Sequence, residues 1–413
     1  MSNVGGDPNV GPREPWHDIH ARLEGPIACD VKKNFEERWC RQSEDMVTRL
    51  CQFNEDEFVF DAPAVHQEHE GGPWNMQIFR SITSDSCTFF DLDKHHCLHR
   101  KGGRLVENTI ANCMVQQIRN SKRYIYMENQ YFLGSAFAWC ADRDTLSNHI
   151  IPLEITKKIC EKIEAGEPFK AYIVIPMFPE GDPASMPTQE ILFWQFRTME
   201  TMYRRIAQAI QGAEAGTHPT DYLAFFCLGK RESIDEVPVD DLEEPAAGTD
   251  AEKIRQSLRH PIYVHCKMSI FDDEYILIGS ANINQRSLGG NRDTEIAVGG
   301  YQPDHSDTDS PRGDVHSFRM ALFAAHLGGT DETYLQPEQD ECWSKVKEVA
   351  QDFWTLYTAD EPEHSDVHML PYPVNVDEDG NVTALEAPWD CFPDTSAPVL
   401  GAKSGVFPEK LTT

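Results

Sequence analysis

The stretch from Ile262 to Val298, IYVHCKMSIFDDEYILIGSANINQRSLGGNRDTEIAV, constrains the fold more than any other part of the chain. The run Ile262 to Phe271 is rich in β-branched and aromatic residues, Asp272-Asp273 interrupts it, and Tyr275 to Ile278 resumes it. That pattern reads as strand, turn, strand. A small-residue turn, Gly279-Ser280-Ala281-Asn282, then leads into a short helix and a further strand. Side chains alternate along a strand, so His265 and Lys267 share one face and Cys266 takes the other. An imidazole beside an ammonium group can hold an anion and either attack it or pass it a proton. The Ser280 hydroxyl and the Asn282 amide, at a turn that Gly279 makes tight, offer further contacts to phosphate oxygens.

The spacing is His265-x-Lys267, four residues, Asp272, six residues, Gly279-Ser280-x-Asn282. It resembles the signature of the phospholipase D superfamily, whose members cleave phosphodiesters through a phosphohistidine. A bare strand is the competing reading, but a lysine facing a core without a partner would be costly. Residues 11–31 (GPREPWHDIHARLEGPIACDV), 124–139 (YIYMENQYFLGSAFAW) and 399–413 (VLGAKSGVFPEKLTT) resemble the plant-type, eukaryotic enzymes. The likeness is weak in 55–73, 85–107 and 232–251. Family members carry two copies of the motif, one per lobe, and this sequence has the second alone. It resembles a C-terminal half, without the calcium-binding C2 domain that precedes the first lobe in the plant enzymes.

The resemblance implies two domains: residues 1–66 as the end of the first lobe, and 74–413 as the second lobe with a C-terminal extension. It also implies a mechanism in which one histidine attacks phosphorus while the other protonates the leaving alcohol. Water or another alcohol then releases the phosphatidyl group, giving hydrolysis or transphosphatidylation of glycerophospholipids such as phosphatidylcholine. His265 matches the second-lobe histidine, general acid and later base. Lys267 and Asn282 would hold the non-bridging oxygens, with Ser280 and Gly279 in the same binding turn. Glu295 and Asp18 match the acids that orient the two histidines. Asp18 is expected within hydrogen-bonding reach of His265, in a pocket shared with Lys267, Asn282 and Glu295. Asp272 is expected to brace the turn rather than touch substrate. No metal or cofactor is expected for the chemistry, although the resemblance allows a calcium requirement. A phosphate-binding or partner-binding fragment without turnover is the alternative. If the chain is instead part of an enzyme, the missing motif would come from a second copy or a separate first-lobe chain.

Net charge of −31, with 37 Lys and Arg against 68 Asp and Glu, argues against a nucleic-acid partner and so against a nuclease. The partner expected from the resemblance is a phospholipid surface, met peripherally from the cytoplasm. The twelve cysteines are scattered without a CxxC pair, and MSNVGGDPNV is no signal peptide, so the thiols read as reduced and cytosolic.

Leu23, Ile27, Val31, Phe35 and Trp39 recur every four residues, predicting an amphipathic helix that packs on the second lobe. The pair His17-x-x-His20 and the cluster His95, His96, Cys97, His99 are weak metal signals; the second reads as an exposed polar loop. Glu128-Asn129-Gln130, at the end of a buried strand, reads equally as ligand contacts or as a hydrogen-bonded strand end. The acidic segment 231–252 reads as a loop, placed where it could also cover the site. Strands at 74–81, 123–127, 171–176 and 222–228 alternate with helices at 108–120, 152–165, 189–209, 315–327 and 343–357. Together they predict an α/β fold, a mixed sheet flanked by helices.

Overall fold

The computed structural model of the chain describes residues 14–43, 72–89, 92, 97–139, 141–233, 246–248, 250–308 and 310–404. Its centre is one mixed sheet, and the alternation of the sequence explains how that sheet is buried. In β5 (Tyr124–Asn129), Tyr124 and Tyr126 face one side while Ile125 and Met127 face the other, and all four are essentially inaccessible. A strand covered on both faces in this way must be central.

Beside β5 lie β6 (Lys170–Val174) and β7 (Leu223–Arg231), all three parallel. β8 (Arg259–Val264) follows antiparallel to β7, and the two-residue strand β1 (Trp16–His17) runs parallel to β8 at the edge. On the other flank of β5 come β9 (Lys267–Phe271), β10 (Tyr275–Gly279), β11 (Glu295–Tyr301), β2 (Asn75–Thr83), β4 (Arg104–Asn108) and β3 (His99–Lys101). These last pairings are antiparallel. β12 (Met369–Pro371) also pairs with β7, and β13 (Val374–Val376) with β14 (Val382–Ala384) forms a separate hairpin.

One face of the sheet is covered by α2 (Thr109–Asn120), α3 (Ile151–Ala165) and α4 (Met186–Ala213), through Ile110, Ile118, Ile155, Ile159, Met202 and Ile206. The other face is covered by α5 (Asp314–Leu327) and α6 (Asp340–Thr358), through Val315, Phe323, Trp343 and Val346. A cap helix, αC (Asp250–Ser257), precedes β8, and the helical turn αT (Gln285–Leu288) follows β10. The fold is therefore the α/β class predicted, with the expected strands and helices shifted by a few residues at their ends.

Four expectations change. Ile262 to Phe271 is two strands: β8 pairs with β7 and β1, whereas β9 pairs with β5 and β10, so the chain changes pairing partners at His265-Cys266, with β7, β6 and β5 between the two strands in the sheet. Residues 99–101 are a strand, β3, closed onto β4 by Gly102-Gly103, both at positive φ; His95 and His96 lie outside the described residues. The expected amphipathic helix exists as α1 (Ile27–Gln42), but its apolar stripe is not buried. Phe35 is 55% exposed, and the α1 side chain sealed in the fold is Glu37, which meets Arg80 on β2. A guanidinium already held by Glu107 offers the helix a charge rather than an apolar surface. Of the acidic segment 231–252, the ends are regular structure: Arg231 closes β7 and Asp250 opens αC. Its middle, 234–245, lies outside the described residues.

Candidate active site

The residues singled out in the sequence gather at one end of the sheet because the strand register puts them there. Lys267 opens β9 opposite Asn129, the last residue of β5. Gly279 closes β10 opposite Ala297, and Glu295 opens β11. A Cβ on Gly279 would stand 2.4 Å from the Ala297 Cβ and 2.6 Å from the Ile296 carbonyl oxygen. Only glycine lets the two strands approach so closely.

His265 sits at the crossing between β8 and β9, half-buried. Its amide donates to the His17 carbonyl at 2.8 Å, which holds it beside β1. Asp18, the next residue, accepts from His265 Nδ1 at 2.8 Å. Trp16 stacks on the imidazole with ring centroids 4.5 Å apart and planes at 28°. The ring is thus gripped on one face and at one nitrogen, and Nε2 is left to exchange a proton. Burial pulls the Asp18 carboxyl upward, but hydrogen bonds from His265 and the Ile19 amide outweigh it, with help from the charge of Lys267. The group is held below the usual aspartate range.

The Lys267 ammonium donates to the His265 carbonyl. Burial lowers its pKa, against the pull of Asp18 and Glu295. Glu295 accepts from Ser280 Oγ at 2.6 Å and Ser287 Oγ at 2.5 Å, yet burial still raises its pKa above the ordinary value. Ser280 is therefore engaged with Glu295 rather than free for an incoming oxygen. Asn282 Oδ1 is buried without a hydrogen-bond partner among the described residues. Turning that amide by half a rotation would present its NH₂ to the same spot, so the position suits an arriving polar group.

Asp272 lies elsewhere. It follows the last residue of β9, at the opposite end from Lys267, and its carboxylate accepts from the backbone amides of Lys122 (2.6 Å), Arg123 (2.8 Å) and Tyr124 (2.8 Å). The β9–β10 turn is thereby tied to the start of β5. Its neighbour Asp273 is buried against Arg319, His316 and Tyr124. Burial alone would raise the Asp273 carboxyl, but these partners hold it far below the usual range.

Of the two readings of Glu128-Asn129-Gln130, the structure matches the second: all three side chains are hydrogen-bonded within the fold, as at a hydrogen-bonded strand end, with long-range partners that the sequence did not point to. Glu128, fully buried on β5, takes His17 Nε2 at 2.6 Å and Cys266 Sγ at 3.1 Å on one oxygen. His326 Nε2, at 2.9 Å, and the Tyr126 hydroxyl bind the other. His17 thus turns to Glu128 and His326, while His20 stays exposed; the two do not form a metal pair. The signal that was available was a glutamate inside an otherwise apolar strand.

The family profile described as phospholipase D matches residues 2–401. Phospholipase D alpha 1 of Brassica oleracea var. capitata is 46% identical over 414 residues, which are 98% of this chain and 51% of that protein. Phospholipase D alpha 2 of Arabidopsis thaliana is 47% identical over 417 residues, with the same shares. The chain spans about half the length of the curated relatives it matches. Among solved structures, a phospholipase D family member, Nuc from Salmonella typhimurium, is similar with 12% identity and a TM-score of 0.24, over 56% of this chain and 84% of that one. On the profile match over almost all of its length, the chain belongs to the phospholipase D family.

Proposed function

We propose that the chain supplies the second-motif half of a phospholipase D site that hydrolyses or transphosphatidylates glycerophospholipids such as phosphatidylcholine. The observation that carries this is the His265–Asp18 pair: a carboxylate on Nδ1, an Nε2 without a partner among the described residues, and, on the same sheet end, an ammonium and the Asn282 amide oxygen, which also lacks a partner among them. His265 protonates the leaving alcohol and then takes a proton from the attacking water or alcohol. Lys267 and Asn282 hold the non-bridging oxygens as charge develops. Asp18 fixes the tautomer of His265, and Glu295, occupied by two serines here, is left to orient a histidine from another lobe.

A phosphohistidine route needs a second histidine, and the sequence carries the motif once. Residues 1–66 are read as the end of a first lobe and 74–413 as the second. The open apolar stripe of α1, with Phe35 exposed, supports docking of a separate first-lobe chain or a second copy. Contact with substrate is peripheral, at a cytoplasmic membrane surface; among the described residues no helix is long and apolar enough to cross a bilayer. Calcium prefers six to eight oxygen ligands. The candidate cation group among the described residues is two imidazoles and one carboxylate, a poor fit, so no step is routed through calcium.

The test is choline release from phosphatidylcholine by the purified chain, alone and mixed with a first-lobe chain. Little release alone and restoration on mixing is expected, because loss of the attacking group costs several orders of magnitude. Full activity from a demonstrated monomer would refute the proposal. No activity in a proven complex would favour the alternative, a binding module without turnover.

A further inference from the structure

We propose that Glu128 is a positioning residue for the His265–Asp18 pair, acting through His17 to hold the Trp16–Asp18 segment in register; this rests on the reading of that pair as the reacting one. The segment needs such a hold. β1 pairs with β8 through two residues, Trp16 opposite Tyr263 and His17 opposite Val264, on the edge of the sheet. Both grips on His265, the Trp16 ring and the Asp18 carboxylate, belong to this segment. Side chains alternate along it: Trp16 and Asp18 turn to His265, and His17 turns down into the core. A slip of one residue would exchange those faces and withdraw both grips together.

What opposes the slip is the bond from His17 to Glu128, made by a carboxylate with no exposure to solvent. Burial would raise the Glu128 carboxyl, but His326 and His17 outweigh it and keep the group ionised. The same balance works on His17: burial lowers its pKa, and the Glu128 hydrogen bond and charge raise it beyond the ordinary histidine value. Releasing His17 would leave a buried charge short of a donor, so the segment is tethered by more than its two ladder positions.

The group is a set of hydrogen bonds rather than a cation site. Two ligands around one zinc stand about 3.4 Å apart at bond lengths near 2.1 Å, whereas His17 and His326 approach Glu128 at 2.6 and 2.9 Å. All four acceptor positions of the carboxylate are taken, by His17, His326, Tyr126 and Cys266. One of those donors, Cys266, adjoins His265 in sequence, so the crossing between β8 and β9 is anchored to the same carboxylate.

The test is ¹⁵N histidine NMR of the full chain at alkaline pH, where imidazoles are neutral and their tautomers are read from the two nitrogen shifts. His265 is assigned by its loss in His265→Asn. In the wild-type chain His265 is expected in the Nδ1–H form, donating to Asp18. Glu128→Gln and His17→Leu should both convert that signal to the mixed tautomer of a free imidazole. Tyr126→Phe removes another partner of the same carboxylate, on its other oxygen, and should leave the His265 shifts unchanged even if it lowers the melting temperature. If Glu128→Gln does not fold, His17→Leu, at the sheet edge, decides alone. Wild-type His265 shifts in both variants, or an equal change in Tyr126→Phe, would overturn the proposal. Asp18→Ala separates the two readings: if it leaves the His265 tautomer unchanged, the pair itself is wrong, whatever Glu128 does.

Discussion

Asp272 belongs to the motif, but its surroundings make it a fastener, and Asp272→Asn shows the difference. One carboxylate oxygen takes the Lys122 amide, and the other takes those of Arg123 and Tyr124. The residue is 5% exposed, with φ at 56°. Asparagine tolerates that backbone, so the cost falls on the hydrogen bonds. Its amide oxygen can keep the Arg123 and Tyr124 donors, but its NH₂ then faces the Lys122 N–H, donor against donor. Losing one bond to a charged acceptor costs about 1.5–3 kcal/mol, and the two that remain fall toward neutral strength. Release of a buried charge offsets part of this, leaving about 3 kcal/mol, roughly a hundredfold in the unfolding equilibrium. Urea denaturation and hydrogen exchange of the β9–β10 hairpin should both report that loss. His265→Asn should leave both measurements close to wild type while abolishing turnover in a reconstituted complex. Unchanged stability and exchange in Asp272→Asn, with a kinetic loss equal to that of His265→Asn, would refute the assignment.

Arg319→Met strips Asp273 of its buried guanidinium, and a loss of about 3–5 kcal/mol by urea titration is expected. Gly279→Ala should cost about 1–3 kcal/mol or more, read the same way, because the added carbon meets β11 well inside van der Waals contact. Glu295→Gln should raise the melting temperature at neutral pH and change it little at low pH. The folded state raises this carboxyl, so protonation favours the fold, and stability falls as pH climbs through the raised value. A destabilised Gln variant at neutral pH would contradict that sign.

The strands and helices of the core were legible because burial writes itself in periodicity: Tyr124, Ile125, Tyr126 and Met127 could only be a strand covered on both sides. The motif residues were legible because their spacing places Lys267, Gly279 and Glu295 at one sheet end once β9, β10 and β11 pair. Long-range partners were not. Nothing near Glu128 in sequence points to His17 or His326, which lie 111 and 198 residues away. The break of Ile262 to Phe271 into β8 and β9 was hidden because both halves carry the same β-rich composition, and pairing partners decide where a strand ends. The α1 stripe misled for a related reason. Period-four apolar residues show that a helix has a face to cover, and say nothing of whether this chain supplies the cover; here the described fold offers Arg80 to Glu37 instead.

The most direct measurement of the central claim uses a phosphatidyl ester whose leaving group, p-nitrophenol, departs without a proton. In a complex of His265→Asn with a first-lobe chain, attack on phosphorus no longer needs an acid, but release of the intermediate still needs a base. The account predicts a burst of one p-nitrophenol per site followed by no turnover, with the phosphatidyl group on the first-lobe histidine. Steady turnover at the wild-type rate, or a phosphatidyl group recovered on His265 of the wild-type chain, would contradict it.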